Sequence, residues 1–472
     1  MKRLESIKKL IVLWLGYLGL LFQTAVYAYI WFEYYYPTIS RFTARLKYTR
    51  NGHIGILAIY AVLLFFFTST YGGLKIGYLK SLDLILSQAF ALLIVNVLTY
   101  FQLSLMNNWW LEPSYFLGAT VLQLLFAIVW CIVCNLFYRK VFPPRELLMV
   151  YGERSIEDIT HKFESRKDKY RIVKSMNIKE GMMAIEEEAM KDYGGVVLWD
   201  IPTEERNKLL KFCYSRSVRV YMMPKIPDVL IKGSDQLHLF DTPILLTREY
   251  ALTVEQRIAK RMIDLVCALL LLIIASPFML ITAVLIKCYD GGPVLYKQVR
   301  CTIGGREFKI MKFRSMRVDA EKDGVARLAA KNDDRITPIG KFIRAVRIDE
   351  LPQLLNILKG DMSFIGPRPE RPEIIRQYVE DMPEFVFRMK VKAGLAGYAQ
   401  VYGKYNTTPY DKLKLDLSYI ENYTVWLDLK LMLLTLKILI KPESTEGIDN
   451  TQVTAMKSQK AGEPFEHENG SK

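Results

Sequence analysis

The sequence predicts a multi-domain membrane protein. Its parts are a four-helix transmembrane bundle, a small α/β Rossmann-like domain, and an α-rich domain with a re-entrant helix hairpin and interfacial amphipathic helices. Three observations carry that prediction. Four apolar segments, near residues 10–32, 54–70, 84–105 and 115–137, each approach the roughly 20 residues that a spanning helix needs. Strand-like apolar runs then alternate with helical stretches over 146–250. Further on, a fifth apolar run is interrupted by Ser276-Pro277, and cationic amphipathic segments follow it.

Composition agrees. The chain has 472 residues, is 51% hydrophobic and carries a net charge of +15. Such a balance suits a membrane protein with an anionic partner, whether lipid headgroup, nucleotide or phosphate. Nucleic acid is not expected, because the basic residues are interleaved with membrane segments. Cys131 and Cys134 form a CxxC inside an apolar segment with no second pair, so they read as buried helix residues and not zinc ligands. The four histidines, His53, His161, His238 and His467, all lie far in sequence from the Asp349-Glu350 pair singled out below. That excludes His-based triads and His-rich metal sites there.

The first part, 1–142, holds the four spans. Residues 1–9 are basic and precede an apolar run without a small-residue cleavage site, so they read as an anchor. Trp31, Tyr34–Tyr36, Tyr71, Trp109 and Trp110 are expected at interface belts. With the N-terminus inside, Lys2, Arg3, Lys8, Lys9, Lys75, Lys80, Arg139, Lys140 and Arg145 face the cytoplasm, against an outer cluster of Arg41, Arg45, Lys47 and Arg50. Four spans return the chain to the cytoplasmic side of the inner membrane.

The second part, 143–250, reads as a degenerate Rossmann-like cytoplasmic domain. LLMVYG, VVLWD and VRVYMMP are its strands. The first ends at Gly152, one glycine where a dinucleotide fold needs a glycine-rich loop. A packing, dimerising or regulatory role is therefore expected, including a homodimer through this domain.

The third part, 251–445, begins with Lys260-Arg261 and the interrupted apolar run. Basic flanks on both sides and the central proline predict a re-entrant hairpin over 262–288 instead of a fifth span. A basic stretch follows, including Gln298, Arg300, Lys312 and Arg314, and reads as a phosphate-handling surface. Thr337-Pro338 starts an amphipathic helix with Ile339, Phe342, Ile343 and Val346 on one face and Lys341, Arg344 and Arg347 on another. A second short helix follows, with Asp349 as its N-cap and Gly360 as its stop. Asp349 and Glu350 then sit among arginines at a helix start, a place that favours bound phosphate. Residues 425–441 suit an interface-lying helix, and 446–472 form a polar tail expected to be disordered.

These residues resemble the bacterial sugar transferase family, the monotopic phosphoglycosyl transferases. The carrying motifs are Ser276-Pro277, GGPVLYKQVR at 291–300, KFRSM at 312–316, DELPQLLNILKGDMSFIGPRP at 349–369, GLAGYAQV at 394–401, and Asp416 with Tyr419. They cover about residues 255–441. The front of the chain is similar to the large form of the family, which serves capsule, exopolysaccharide and O-antigen pathways. The resemblance implies an enzyme that moves a sugar-1-phosphate from a UDP-sugar, galactose or glucose being common, to undecaprenyl phosphate with release of UMP. It implies Asp349 as the nucleophile, Glu350 as its helper and both as ligands of Mg²⁺. It further implies Arg344 as a phosphate contact, Arg368 as a nucleotide-side contact, and substrate-binding roles for Gln298, Arg300, Lys312, Arg314, Gln400 and Asp416. Ser276 and Pro277 make the re-entrant bend. Thr302, Arg347 and Ala393 depart from the family pattern.

Two other readings compete. A non-catalytic scaffold for polysaccharide assembly would leave the acid pair as a mere cap. An oxidoreductase built on 146–250 would need the glycine fingerprint that Gly152 alone does not supply.

Overall fold

A computed structural model describes residues 2–42, 50–154, 156–317, 333, 335–403 and 407–439. The expected polar tail 446–472, and Arg45 and Lys47 of the outer basic cluster, lie outside the described residues. The chain divides into two units, Met1–Pro224 and Lys225–Lys472.

In the first unit, α1 (Lys2–Ile30) runs through a π-turn into α2 (Tyr36–Phe42), and α3 (Arg50–Tyr71), α4 (Ser81–Met106) and α5 (Ser114–Val141) follow. Counting α1 and α2 as one, these are four of the five helices among the described residues that are long and apolar enough to cross a membrane; the fifth lies in the second unit. A buried polar network crosses the bundle. Tyr60 donates to Asn96 Oδ1 (2.9 Å), and Gln123 Nε2 donates to Tyr60 (2.9 Å) and to the Gln23 carbonyl (2.8 Å). Each polar group in an apolar bundle needs such a partner. Packing divides the aromatics expected at the interface belts. Trp31, Tyr35 and Tyr71 are buried, whereas Trp109 and Trp110 are exposed. Tyr35 turns inward because its hydroxyl donates to the Glu112 carbonyl and accepts from the Phe116 N–H. Cys131 and Cys134 are buried in α5, as the sequence indicates.

The same unit ends in a parallel sheet of β1 (Arg145–Tyr151), β2 (Tyr170–Asn177), β3 (Val196–Trp199) and β4 (Val220–Met222), joined by α6 (Glu157–Glu164), α7 (Met182–Ala189) and α8 (Thr203–Ser215). Its order, β2-β1-β3-β4, is that of flavodoxin-like doubly wound sheets and not the dinucleotide-binding order. A Cβ on Gly152 would lie 2.1 Å from the Asp200 carbonyl, so this glycine serves close packing between two strand ends.

The second unit starts earlier than the expected boundary at 250. Ile226 and Val229 of α9 (Ile226–Lys232) pack in one core with Leu413 and Leu417, which draws the segment away from the sheet domain. A hairpin of β5 (Asp235–Leu239) and β6 (Thr242–Leu246) follows, then α10 (Val254–Asp290). Over the segment expected to re-enter, 262–288, α10 runs as one helix of 37 residues with Pro277 inside it. Pro277 has no N–H to offer the Ile273 carbonyl four residues back. The Ser276 hydroxyl donates to that carbonyl instead, at 2.8 Å, so the helix survives the proline.

The antiparallel pair β7 (Leu295–Cys301) and β8 (Glu307–Phe313) comes next, followed by α11 (Pro338–Ala345), α12 (Gln353–Lys359), β9 (Ser363–Ile365), α13 (Pro372–Asp381), β10 (Gly394–Ala396), α14 (Tyr398–Tyr402), α15 (Pro409–Glu421) and α16 (Val425–Leu439). Strands β9 and β10 pair in parallel. Ala268 of α10, Phe308 and Ile310 of β8 and Leu354 and Ile357 of α12 share one buried cluster, which sets α12 and its preceding turn on β8.

Candidate active site

The acid pair is delivered by a cap, a strained residue and a tight turn. Thr337 accepts the Gly340 N–H at 2.9 Å and Pro338 opens α11. The apolar face of α11 splits. Ile343 is buried with Ile339 beside it, while Phe342 and Val346 remain exposed. Past the helix, Arg347 takes left-handed φ 59° and ψ 18°, which costs a non-glycine residue about 1–2 kcal/mol. That reversal throws Ile348–Glu350 into a 3₁₀ turn.

Asp349 is therefore not the cap of the next helix, as the sequence suggested. Helix α12 begins at Gln353, and of the two residues a cap at 349 would accept from, Pro352 has no N–H and Leu351 donates its own to the Ile348 carbonyl. Asp349 is buried at 8% exposure, and its Oδ1 is enclosed without a hydrogen-bond partner. Its neighbour is held firmly: Glu350 Oε1 accepts from Lys312 Nζ at 2.8 Å, with Arg368 Nη2 at 3.7 Å.

The scaffold behind the pair is tied down by long-range bonds. Asn356 of α12 accepts the Met311 N–H and donates to the Lys309 carbonyl, fixing α12 to the strand that carries Lys312. Arg261 of α10 donates to the Ile357 and Leu358 carbonyls at 2.6 and 2.7 Å, closing the C-terminus of α12. Buried Lys260 donates to the Ile365 carbonyl, Tyr419 and Asp428, and Asp264 accepts from Ser363 and the Phe364 N–H. These bonds hold β9, from which the Gly-Pro-Arg-Pro turn springs. Only glycine fits its root, because a Cβ on Gly366 would lie 2.3 Å from the Lys392 carbonyl.

Opposite electrostatics act on the two acids. Burial raises the proton affinity of Asp349, Glu350 adds to the rise, and Lys312, Arg344 and Arg347 only partly offset it. Burial would also raise Glu350, but Lys312 and Arg368, the Lys312 hydrogen bond and Arg347 together hold it well below the usual carboxylate range. Glu350 is thus the permanently charged member, and Asp349 the poised one.

Five expected residues thus converge: Asp349, Glu350, Lys312, Arg344 and Arg368. The others lie elsewhere. Arg314 is buried in a two-pronged pair with Asp290, at the end of α10. Gln298 accepts from Arg300 at 2.7 Å, and Arg300 donates to the Pro369 carbonyl and stands 3.8 Å from Glu370. Burial lowers the Arg300 pKa to about 10, with Glu370 opposing and Arg368 and Arg371 assisting. Gln400 has a buried Oε1 without a partner, on α14. Asp416, 1% exposed, accepts from Arg388 Nε at 3.0 Å and is ion-paired with its Nη2 at 2.7 Å. Arg388 also donates to the Arg368 carbonyl at 3.1 Å and stands 3.5 Å from Glu370. Asp416 thus supports the Pro-Arg-Pro turn through Arg388. The sequence reading missed Arg388, Glu370 and Lys412, which pairs with Glu370. The signal available was Glu370, a carboxylate directly after a turn that carries an arginine.

Among the described residues no group of three or more His, Cys, Asp or Glu could hold a metal. The enclosed Asp349 Oδ1 beside Glu350 nevertheless fits Mg²⁺, which takes one or two carboxylates and completes its shell with water and substrate phosphates.

Residues 255–442 match the family described as Bacterial sugar transferase. Among curated proteins the chain is similar to the UDP-N-acetylgalactosamine-undecaprenyl-phosphate N-acetylgalactosaminephosphotransferase of Aeromonas hydrophila, 38% identical over 242 residues (50% of this chain, 56% of the relative). It is similar to the UDP-glucose:undecaprenyl-phosphate glucose-1-phosphate transferase of Caulobacter vibrioides, 39% identical over 190 residues (39% of this chain, 71% of the relative). A third relative is the undecaprenyl-phosphate galactose phosphotransferase of Salmonella typhimurium, 34% identical over 245 residues (48% of this chain, 50% of the relative). The chain spans about half the length of most of these curated relatives.

Proposed function

Because this chain belongs to the bacterial sugar transferase family, we propose that it transfers a sugar-1-phosphate from a UDP-sugar to undecaprenyl phosphate, releasing UMP and initiating a surface polysaccharide. The observation that carries this reading is the buried Asp349 carboxylate with an unpartnered Oδ1, next to a Glu350 already held by Lys312 and Arg368.

In the first half-reaction, a carboxylate oxygen of Asp349 attacks the phosphorus that bears the sugar. The P–O bond to the uridylyl phosphate breaks, UMP leaves, and a phosphosugar-aspartyl ester remains. In the second, an oxygen of undecaprenyl phosphate attacks the same phosphorus, the Asp349 carboxylate leaves, and the lipid diphosphosugar forms. One hard displacement becomes two easier ones. Arg344, Arg347 and Arg368 neutralise the phosphate charges that would otherwise repel an anionic nucleophile. Asp349 and Glu350 would hold Mg²⁺, which supplies further charge neutralisation at the phosphates when bound.

The membrane geometry belongs to the same proposal. Straight, α10 would be about 55 Å long. Yet its first arm packs on α12 and β9, and its second arm, around Met279 and Ile286, packs with Phe313 and Ile343 of the same unit. Ile273, Ile274 and Phe278 between the arms are exposed. This supports a helix that bends at Ser276-Pro277 and re-enters the cytoplasmic leaflet of the inner membrane, leaving the acid pair on the cytoplasmic side. Exposed Phe342 and Val346 of α11, and Trp426 and Leu436 of α16, would lie in the interface.

The test is nucleotide release. Membranes holding the protein receive undecaprenyl phosphate, Mg²⁺ and a panel of UDP-sugars, and UMP and UDP are measured separately. UMP release with one sugar, absent in Asp349→Asn, is the expected result. UDP release would mean that the sugar moves without its phosphate, and would overturn the mechanism.

A further inference from the structure

The first unit contains a cavity of about 540 Å³ that the proposed chemistry does not use. It lies at one end of the spans, where the start of α1, the turn between α3 and α4 and the end of α5 meet the first two strands of the sheet. Its lining includes the apolar Val12, Leu13 and Leu74. It also includes Lys8, Lys9, Arg145 and Lys169. Asp168, the acid lining it among the described residues, is already engaged by Arg166 at 3.0 and 3.1 Å.

Two of the cations rest on ring faces. Lys169 Nζ lies 4.0 Å from the Tyr78 ring, and Lys8 Nζ lies 4.7 Å from Phe142 and 4.8 Å from Tyr138. A ring positions an ammonium without cancelling its charge. Burial lowers the Lys169 pKa to about 8, and Arg166, Lys8 and Arg145 push the same way against Asp168. A bound anion would relieve that crowding. The depth is also particular, because span ends and a basic rim meet at the level of lipid headgroups.

The geometry points to a binding site for the phosphate headgroup of an anionic lipid, its phosphate among Lys8, Arg145 and Lys169 and its chains along Val12, Leu13 and Leu74. The volume falls within the range of small-ligand sites. A water-soluble anion would satisfy the cations and leave the apolar lining wet, so a lipid uses both. The site stands apart from the acid pair and does not rest on the proposed transfer.

The test uses the full chain in bilayers of phosphatidylcholine alone, phosphatidylcholine with phosphatidylglycerol, or phosphatidylcholine with a polyprenyl phosphate. Lipid retained after gentle extraction is read by native mass spectrometry. Anionic lipid should be retained, and retention should fall at least about tenfold in Lys8→Gln/Lys169→Gln. Lys169→Arg should keep it, and Lys208→Gln, an exposed change on α8, should leave it unchanged. Phosphatidylglycerol or polyprenyl phosphate retention each supports the site and names the lipid. Equal retention of phosphatidylcholine by the unaltered protein overturns it, a comparison that needs no variant to fold. So does undiminished retention by a folded double variant. Displacement of the lipid by inorganic phosphate at matched concentration would assign the site to a free anion and overturn the lipid reading.

Discussion

Asp349 and Asp416 are both buried carboxylates of the second unit, and their surroundings treat them in opposite ways. Asp416 accepts from Arg388 Nε and is ion-paired with its Nη2, and the other contacts of that arginine reach Glu370 and the Arg368 carbonyl. Asp349 keeps an enclosed oxygen that nothing bonds, although Lys312, Arg344 and Arg347 are near enough to bias its charge. An unpaired buried oxygen costs stability, whereas a bonded one does not. The comparison separates a group kept available for chemistry from a group consumed in holding a turn.

Asp349→Asn attacks the first of these directly. Loss of UMP release on the order of 10⁴-fold or more is expected, because an amide forms no phosphoryl ester, with thermal melting unchanged or raised. Measurable turnover by that variant would place the nucleophile elsewhere. Arg388→Gln attacks the second. It strands Asp416 as a buried unpaired charge, at a cost of about 3–5 kcal/mol in melting experiments. Arg388→Met with Asp416→Leu should recover most of that stability while the KM for the UDP-sugar stays raised, since the Arg368 carbonyl has lost its holder. Full recovery of KM would reduce the network to a structural role.

The pH profile sharpens the contrast. The reactive form of Asp349 is the carboxylate, and its proton affinity is raised. Activity should therefore hold above that elevated pKa and fall as pH drops through it, closer to neutrality than for an ordinary aspartate. Lys312→Gln removes a cation that opposes the rise, so it should move the acidic limb upward; a downward or absent shift in kcat/KM would refute the electrostatic assignment. The smallest effect is expected at the kink. Ser276→Ala leaves the Ile273 carbonyl without its donor and should cost about 0.5–1.5 kcal/mol, read by thermal unfolding in nanodiscs.

Much of this was legible along the chain because it is local. Thr337 and Pro338 announce α11, Gly360 ends α12, and the four apolar stretches have the length of spans. The acid pair and its basic surroundings could likewise be picked out. What failed was an inference in which one local rule competed with another. Asp349 has the right type for a cap but the wrong neighbours, since Pro352 offers no N–H and Leu351 gives its own to the Ile348 carbonyl. At Ser276-Pro277 the serine hydroxyl takes up the carbonyl that the proline leaves without a donor.

The sequence by itself determined which segments are long and apolar enough to enter a membrane, where the acids stand and which helices start and stop, because periodicity, caps and charge runs act over a few residues. Only the tertiary structure decided which cations meet those acids. Lys260 finds Asp428 across 168 positions, Lys312 finds Glu350 across 38, and Arg388 finds Asp416 across 28. No periodicity links such partners. Burial pairs them, because a charge removed from water must find its counterpart wherever the packed core brings one.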